Sequence, residues 1–129
     1  MIFDEKTTID SGKAILGIEF GSTRIKAVLI DPQNRPIAQG SHSWENQLVD
    51  GLWTYSLDAI WDGLRDCYAD LLKDVREKYD TVIENLAGIG ISAMMHGYMA
   101  FNDKDELLVP FRTWRNTNTG QAAAELSKL

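Results

Sequence analysis

Three short runs rich in hydrophobic positions, separated by polar residues, lie near the start of the chain. Residues 14–20 (AILGIEF) and 25–31 (IKAVLID) are mainly aliphatic, and residues 37–44 (IAQGSHSW) mix apolar with polar positions. Runs of this length, bounded by Gly, Pro and Asn, are typical of β-strands. Because short turns join them, they predict a three-stranded antiparallel meander whose third, more polar strand lies at a sheet edge.

A longer pattern of helical period follows. Apolar side chains recur at three- and four-residue steps over about six turns, which predicts an amphipathic helix with Ser56 as its N-cap. The apolar positions are Leu57, Ile60, Trp61, Leu64, Tyr68, Leu71, Leu72, Val75 and Tyr79. The opposite face carries an acidic column of aspartates spaced four residues apart: Asp58, Asp62, Asp66, Asp70 and Asp74. We expect a solvent-exposed face here, because nothing would enclose a metal ion.

The remaining patterns predict a strand, a hairpin and the start of a helix. Residues 86–95 (LAGIGISAMM) are apolar on both faces, as in a buried parallel strand. Residues 97–111 predict a hairpin with NDKD at its tip, and residues 113–129 predict a loop that leads into a helix capped by Thr117 or Thr119. A meander followed by a helix and a further strand predicts an α/β mixed sheet with helices packed on it.

Two segments have weaker patterns. Residues 1–13 are polar and predict a loosely held N-terminal arm, with one short helical turn, outside a domain formed by residues 14–129. Residues 45–53 predict a loop.

Composition and charge narrow the function classes. The chain has 129 residues, enough for one small domain, and its 44% hydrophobic content is that of an ordinary globular protein. A net charge of −6 argues against a nucleic-acid partner, which would need a basic face. Cys67 is the single cysteine, no secretory signal is visible, and no apolar run reaches the ~18 residues of a membrane span. We expect a cytoplasmic protein that binds neither nucleic acid nor membrane.

The stretch LGIEFGSTRIKAVLID holds the first candidate site. Between its two strands lies Gly21-Ser22-Thr23, a turn with small side chains and with backbone N–H groups of the kind that cradle phosphate. Lys26 adds positive charge, and Glu19 is near enough to reach a Mg²⁺ held by the same phosphates. A β-turn selected for its geometry alone is the alternative, and both interpretations stay open at this point.

Two further stretches contain candidate ligand-binding residues. GIGISA matches a dinucleotide fingerprint, but those glycines must lie in a turn that opens a helix, and here they lie inside a predicted strand. His96 follows that strand, where side chains of α/β sheets often face ligand clefts; a structural histidine is the alternative. FRTWRNTNT combines an indole with guanidinium and amide groups, the chemistry of sugar sites, although a polar helix cap is equally consistent with it.

Three stretches together resemble, in order and spacing, the N-terminal half of FGGY-type carbohydrate kinases: LGIEFGSTRIKAVLID, GIGISAMMHGYMAFNDKDELLVPF and TWRNTNT. The resemblance is nearest to the xylulose-kinase-like branch, because of the MHG segment. The resemblance covers about residues 14–129. It implies an actin/hexokinase-like, ribonuclease-H-type domain, here truncated. It also implies ATP and Mg²⁺ as cofactors, bound in a cleft between two such domains.

The resemblance further implies roles for individual residues. The ATP-phosphate contacts would be Gly21, Ser22, Thr23 and Lys26. Glu19 would act on Mg²⁺, at a position where the family usually has Asp.

The sugar contacts would come from two of the motifs. They are Met95, His96 and Gly97 of the MHG segment, with Trp114 and Asn116 at the first two positions of a W-x-D-x-R pattern. Asn116 and Asn118 stand where that pattern has Asp and Arg, so the substrate need not be a familiar pentulose.

The activity implied by the resemblance is ATP-dependent phosphorylation of a hydroxyl of a small sugar, such as a ketopentose or polyol. The family's catalytic base is an Asp outside this region, so we expect no catalytic residue here, an inactive fragment, and the remainder of the kinase chain as partner. Apolar surface on an incomplete domain predicts self-association, for instance as a homodimer. A non-catalytic sugar- or nucleotide-binding module and another actin-like ATPase stay open as alternatives.

Overall fold

An antiparallel meander forms the first sheet in a computed structural model that describes residues 4–129. Strand β1 (Ile15–Phe20) pairs with β2 (Arg24–Ile30), and β2 pairs with β3 (Pro36–Ser43). The predicted meander is therefore confirmed, and β3 lies at an edge as expected. The described residues divide into two compact units, unit 1 with residues 4–45 and 58–94 and unit 2 with residues 46–57 and 95–129.

Helix α2 (Leu57–Tyr79) supplies the apolar surface that packs with this sheet in unit 1, and the predicted helix is confirmed. Its fully buried positions lie four residues apart: Gly63, Cys67, Leu71 and Val75. The sheet contributes alternating positions to the same core, chiefly Leu16, Ile25, Ala27, Leu29 and Ala38. Trp61, predicted to lie on the buried face, is 51% exposed because the stripe follows the four-residue step instead.

Gly40 is the point where β3 and α2 approach each other. A Cβ atom at this position would lie 2.5 Å from the Cys67 carbonyl oxygen and closer still to the Leu71 nitrogen. Real Cβ atoms do not come so near, so the strand can lie against the helix backbone only because this residue is glycine.

The acidic column meets the outer edge of β3. The Ser41 N–H donates to Asp70 and the Gln39 N–H donates to Asp74, both at 2.9 Å, and His42 Nδ1 lies 2.7 Å from an Asp66 oxygen. Asp58, Asp62, Asp66 and Asp70 are exposed, as predicted, whereas Asp74 is half-buried. The prediction of a purely solvated face is incomplete, because Asp66, Asp70 and Asp74 also bond to β3.

Strand β6 (Gly88–Ala93) adds to the sheet beside β1, which gives the order β3-β2-β1-β6. It runs parallel to β1 as predicted, and its glycines lie within the strand rather than in a dinucleotide loop. The prediction that it is buried is wrong, since Ile89 is 60% and Ile91 is 69% exposed. In the described chain β6 is the outermost strand on this side of the sheet. Burial of the Ile89 and Ile91 side chains would require a further structural element packed against this strand.

Helix α1 (Glu5–Asp10) precedes the sheet and begins at Asp4, whose side chain accepts a hydrogen bond from the Thr7 N–H at 2.7 Å. Ile9 is 1% exposed and belongs to the core. The short helical turn predicted for the N-terminal segment is present. The described part of that segment is docked on the core rather than loosely held.

Unit 2 contains a small hairpin where a loop was predicted for residues 45–53. Strands β4 (Gln47–Val49) and β5 (Leu52–Thr54) pair through Asp50-Gly51, whose φ angles are +49° and +79°. Asp-Gly with two positive φ values is typical of a tight hairpin turn, so the signal was present in the sequence.

The other elements predicted in unit 2 are present, but they are less regular than predicted. The hairpin predicted for residues 97–111 is present as two isolated antiparallel bridges, Tyr98–Arg112 and Phe101–Leu107. Helix α3 (Gly120–Leu126) has Thr119 at its N-cap position, but without a side-chain capping hydrogen bond. None of the helices in residues 4–129 has the length and apolar character that crossing a membrane requires.

Candidate functional site

The turn between β1 and β2 is a closed hairpin. The Gly21 N–H donates to the Arg24 carbonyl at 2.9 Å. The Trp44 indole N–H donates to the Gly21 carbonyl at 2.8 Å, and the Trp44 backbone N–H donates to the Thr23 carbonyl at 3.1 Å. These bonds fix the turn and leave Ser22 and Thr23 at its tip. Because the Gly21 N–H is already used, a phosphate would be held by the tip and not by this group.

Glycine is required at position 21 for a steric reason. A Cβ atom there would lie 2.8 Å from the Arg24 carbonyl oxygen, which is closer than a side chain tolerates. The same Cβ position lies 3.6 Å from Glu19 Oε1, so the Glu19 carboxylate points toward the turn. The tight turn at Gly21 therefore lies beside the Glu19 carboxylate.

An open groove of about 950 Å³ runs past this carboxylate within unit 1. In the sheet register, Glu19 lies opposite Lys26 on β2 and opposite Ser92 on β6. Arg24 and Ser41 also line the groove. A carboxylate beside cations and hydroxyls can hold a divalent metal together with anionic oxygens. The structure thus brings Glu19 and Lys26 together beside the turn.

Four of the predicted sugar contacts lie on the surface of unit 2. Met95 is 89% and Trp114 is 61% exposed, and both His96 and Gly97 are exposed as well. The side chains of Met95, His96 and Trp114 and the backbone of Gly97 are accessible to a ligand.

Asn116 has a structural role that its motif position did not reveal. Its Oδ1 accepts a hydrogen bond from the Trp53 N–H at 2.8 Å, and its Nδ2 donates to the Trp53 carbonyl at 2.8 Å and the Thr113 carbonyl at 3.1 Å. Both amide hydrogens are therefore committed, and a ligand could reach only the remaining acceptor capacity of Oδ1.

Trp53, whose backbone bonds to Asn116, is a residue that the sequence analysis missed. The Arg115 guanidinium carbon lies 3.6 Å from the centroid of its ring, and Arg115 Nη1 donates to Asn46 Oδ1 at 3.2 Å. Cation–π stacking and the Asn116 bonds together hold the β4–β5 hairpin against residues 113–119, called here the tryptophan loop. The Asp50-Gly51 signal would have placed Trp53 on a strand.

A second cavity, of about 590 Å³, lies within unit 2 and is called here the unit 2 cavity. Its lining includes Tyr98, Leu108, Arg112, Asn116 and Asn118. The structure thus brings the two asparagines of the tryptophan loop to one cavity. Met95, His96, Gly97 and Trp114 are not part of its lining.

Comparisons with known proteins relate these features to a family. The family model described as FGGY family of carbohydrate kinases, N-terminal domain, matches residues 14–129. No curated protein matches the sequence.

Solved structures share the fold at low sequence identity. A xyloylose kinase from Brucella ovis is 24% identical with a TM-score of 0.72, over 88% of this chain and 23% of that one. Gluconate kinase from Lactobacillus acidophilus is 24% identical with a TM-score of 0.69, over 89% and 22%. Plasmodium falciparum glycerol kinase with ADP is 20% identical with a TM-score of 0.73, over 89% and 23%.

These matches confirm the predicted actin/hexokinase-like α/β fold. The chain spans less than a quarter of the length of each of these structures. The family match extends over residues 14–129, nearly the whole chain. The chain belongs to the FGGY family of carbohydrate kinases and matches the N-terminal domain of that family.

Proposed function

We propose that this chain supplies the N-terminal part of an ATP-dependent kinase that phosphorylates a hydroxyl of a small sugar, such as a ketopentose or a polyol. The observation that carries the proposal is the family match over residues 14–129. The xyloylose, gluconate and glycerol kinases with the same fold support a small polyhydroxylated substrate.

The hairpin turn fits the phosphates of ATP and their Mg²⁺. The turn at Gly21 lies beside the Glu19 carboxylate, which would hold the metal or one of its waters. Ser22 and Thr23 would bind phosphate oxygens at the tip, and Lys26 would balance their charge. Bound MgATP would supply the phosphoryl group, and these residues would position it.

The sugar would contact the exposed residues of unit 2. The Trp114 indole offers a face for the C–H groups of a sugar, and the His96 imidazole offers a hydrogen-bonding edge. Met95 and Gly97 flank that histidine and would shape the contact. Asn116 would contribute one acceptor at most, since its amide hydrogens bind the backbone.

Further groups would come from the remainder of the kinase chain, including the catalytic base. The 129-residue chain would then be inactive alone, and exposed Ile89 and Ile91 favour its self-association as a homodimer. The buried free thiol of Cys67 supports a reducing, cytoplasmic location.

An ADP-release assay tests the proposal with the complete kinase that contains this chain, a panel of ketopentoses and polyols, and MgATP. We expect release that depends on both sugar and Mg²⁺, and none from the 129-residue chain alone. ATP hydrolysis indifferent to sugar would identify an actin-like ATPase instead. Sugar binding without turnover would identify a non-catalytic module, and either result overturns the proposal.

A further inference from the structure

The hairpin turn between β1 and β2 is anchored from outside the hairpin by the tryptophan that follows β3. The Trp44 indole N–H donates to the Gly21 carbonyl at 2.8 Å, and the Trp44 backbone N–H donates to the Thr23 carbonyl at 3.1 Å. Two carbonyl groups of this short turn are therefore bonded to one residue, which lies 23 positions from Gly21 along the chain.

Packing holds the Trp44 indole in place. Trp44 is half-buried and packs against the core of unit 1. Its ring centroid lies 6.5 Å from that of Phe20, with the two ring planes tilted by 50°. Aromatic pairs at this distance and tilt attract each other. Because the ring is held on both counts, the indole N–H is a fixed donor for the Gly21 carbonyl.

The indole bond sets the direction of one peptide unit in the turn. The Gly21 carbonyl and the Ser22 N–H belong to the same planar trans peptide, so they point in opposite directions. Since successive side chains of a strand face opposite sides of the sheet, Glu19 lies on the side opposite to Phe20 and Trp44. With the Gly21 carbonyl turned toward the indole, the Ser22 N–H is turned toward the groove that Glu19 lines.

We propose that Trp44 is a positioning residue for the phosphates of ATP. Its indole bond to Gly21 directs the Ser22 N–H toward a phosphate oxygen and keeps the Gly21 carbonyl away from that oxygen. A carbonyl facing the same site would repel the anion, whereas an N–H donates to it. The inference rests on the proposed kinase function, since the ligand is the phosphate chain of MgATP.

The two bonds on this peptide unit should strengthen each other. A phosphate oxygen that accepts from the Ser22 N–H polarises the peptide and makes the Gly21 carbonyl a stronger acceptor. Occupancy of the turn should therefore strengthen the indole bond of Trp44, although the indole does not touch the phosphate.

The indole signal of Trp44 tests this coupling without turnover. The chain has four tryptophans, so the 129-residue chain labelled with ¹⁵N-tryptophan gives four indole N–H signals, which single substitutions by phenylalanine assign. With magnesium pyrophosphate as the probe, the Trp44 indole proton should move downfield and exchange more slowly with solvent. The signal of Trp61, which is 51% exposed on α2, should stay in place. Magnesium chloride alone should move neither signal.

Trp44→Phe removes the indole donor but keeps an aromatic ring and the backbone bond to Thr23. In the complete kinase this change should raise the KM for MgATP about fivefold, the factor expected for one lost neutral hydrogen bond, and leave the KM for the sugar unchanged. Trp61→Phe removes an indole from an exposed position in the same unit and should change neither KM. If Trp44→Phe fails to fold, the indole shift in the unsubstituted chain decides the question.

An unmoved Trp44 signal with magnesium pyrophosphate, an unchanged KM for MgATP in Trp44→Phe, or an equal rise in both KM values would overturn the inference. None of these results removes the proposed kinase function, which is decided by sugar-dependent ADP release from the complete kinase. Absence of that release would in turn leave a shifted Trp44 signal as evidence of phosphate binding. The two failures are therefore distinguishable.

Discussion

The carboxylate of Asp70 lies 2.9 Å from the backbone nitrogen of Ser41 and accepts a hydrogen bond that an edge strand would otherwise direct to solvent. Asp74 does the same for Gln39. Four residues along a helix advance about 6 Å, and two residues along a strand advance about 6.6 Å. Aspartates at this spacing on α2 therefore follow alternate N–H groups of β3. The acidic column closes one edge of the sheet.

Removing one of these acceptors should destabilise unit 1. Asp70→Ala should lower the free energy of unfolding by about 1 kcal/mol, because the Ser41 N–H loses its partner. Asp70→Asn keeps an acceptor oxygen and should cost less. Urea denaturation checks this, with Asp62→Ala as control, since Asp62 bonds only to exposed Arg65 among the described residues. Equal losses for Asp70→Ala and Asp62→Ala would contradict an edge-closing role.

The close approach at Gly40 gives a sharper prediction. Gly40→Ala should destabilise the protein by about 3 kcal/mol, because the new Cβ must displace the backbone of α2 at Cys67 and Leu71. Gly90→Ala is the matched control in the same sheet, because a Cβ there meets nothing within 4 Å. That change should be neutral or slightly stabilising in thermal denaturation. Comparable melting temperatures for the two variants would refute the close approach.

Asp31 should contribute to the pH dependence of stability. Its side chain is 2% exposed, and although burial alone would raise its pKa, bonds from the Arg35 backbone and side chain and from the Gln33 N–H hold the pKa below 3.8. A pKa lowered by folding stabilises the folded state above the unfolded value, and this contribution is lost as pH falls through the folded pKa.

The urea midpoint should therefore decrease as the pH is lowered from about 5 to about 3. The decrease should be less steep in Asp31→Asn, because that side chain no longer titrates. Other carboxyl groups leave a residual slope. Identical slopes for the two proteins would show that Asp31 does not have a lowered pKa.

Asn116→Asp tests the backbone role of that amide. A carboxylate cannot donate to the Trp53 and Thr113 carbonyls, so the change should destabilise unit 2 by about 1–3 kcal/mol. The Thr113 N–H, which donates to the Trp53 carbonyl at 3.3 Å, should exchange with solvent faster. Asn118→Asp introduces the same charge at an exposed position of the loop and should leave this exchange rate unchanged.

Glu19 should affect turnover more than sugar affinity in the complete kinase. Glu19→Ala should lower kcat at least about tenfold and raise the Mg²⁺ requirement, with little change in the KM for sugar, as expected for a group that acts on the metal. Glu19→Asp should keep most of the activity. Glu45→Ala, an exposed acid elsewhere in unit 1, is the control. Unchanged turnover in Glu19→Ala would show that Glu19 has no role at the metal and is only a structural residue.

The sequence predicts best those features that depend on neighbouring residues. The period of α2 and the runs of β1 to β3 locate these elements to within a residue or two, because local periodicity determines which side each residue faces. The orientation of Glu19 toward Gly21 also follows, since only two positions separate them.

Features that depend on distant neighbours were not predictable in this way. The acidic column has the pattern of a solvated face, and only the position of β3 shows why its spacing matters. Ile91 has the composition of a buried residue, but burial requires a covering element, which no pattern within a strand can reveal. The Asn116 amide likewise finds its partners at Trp53, which is 63 positions away along the chain.

The two sides of the sheet differ in a way that limits how copies of the chain can assemble. Strand β3 is blocked by α2, whereas β6 is outermost among the described strands. In the four-stranded sheet of the described residues, β6 is the one open edge. If two copies pair through it, we expect growth to stop at a dimer, so a higher concentration should increase the population of dimers without producing fibres.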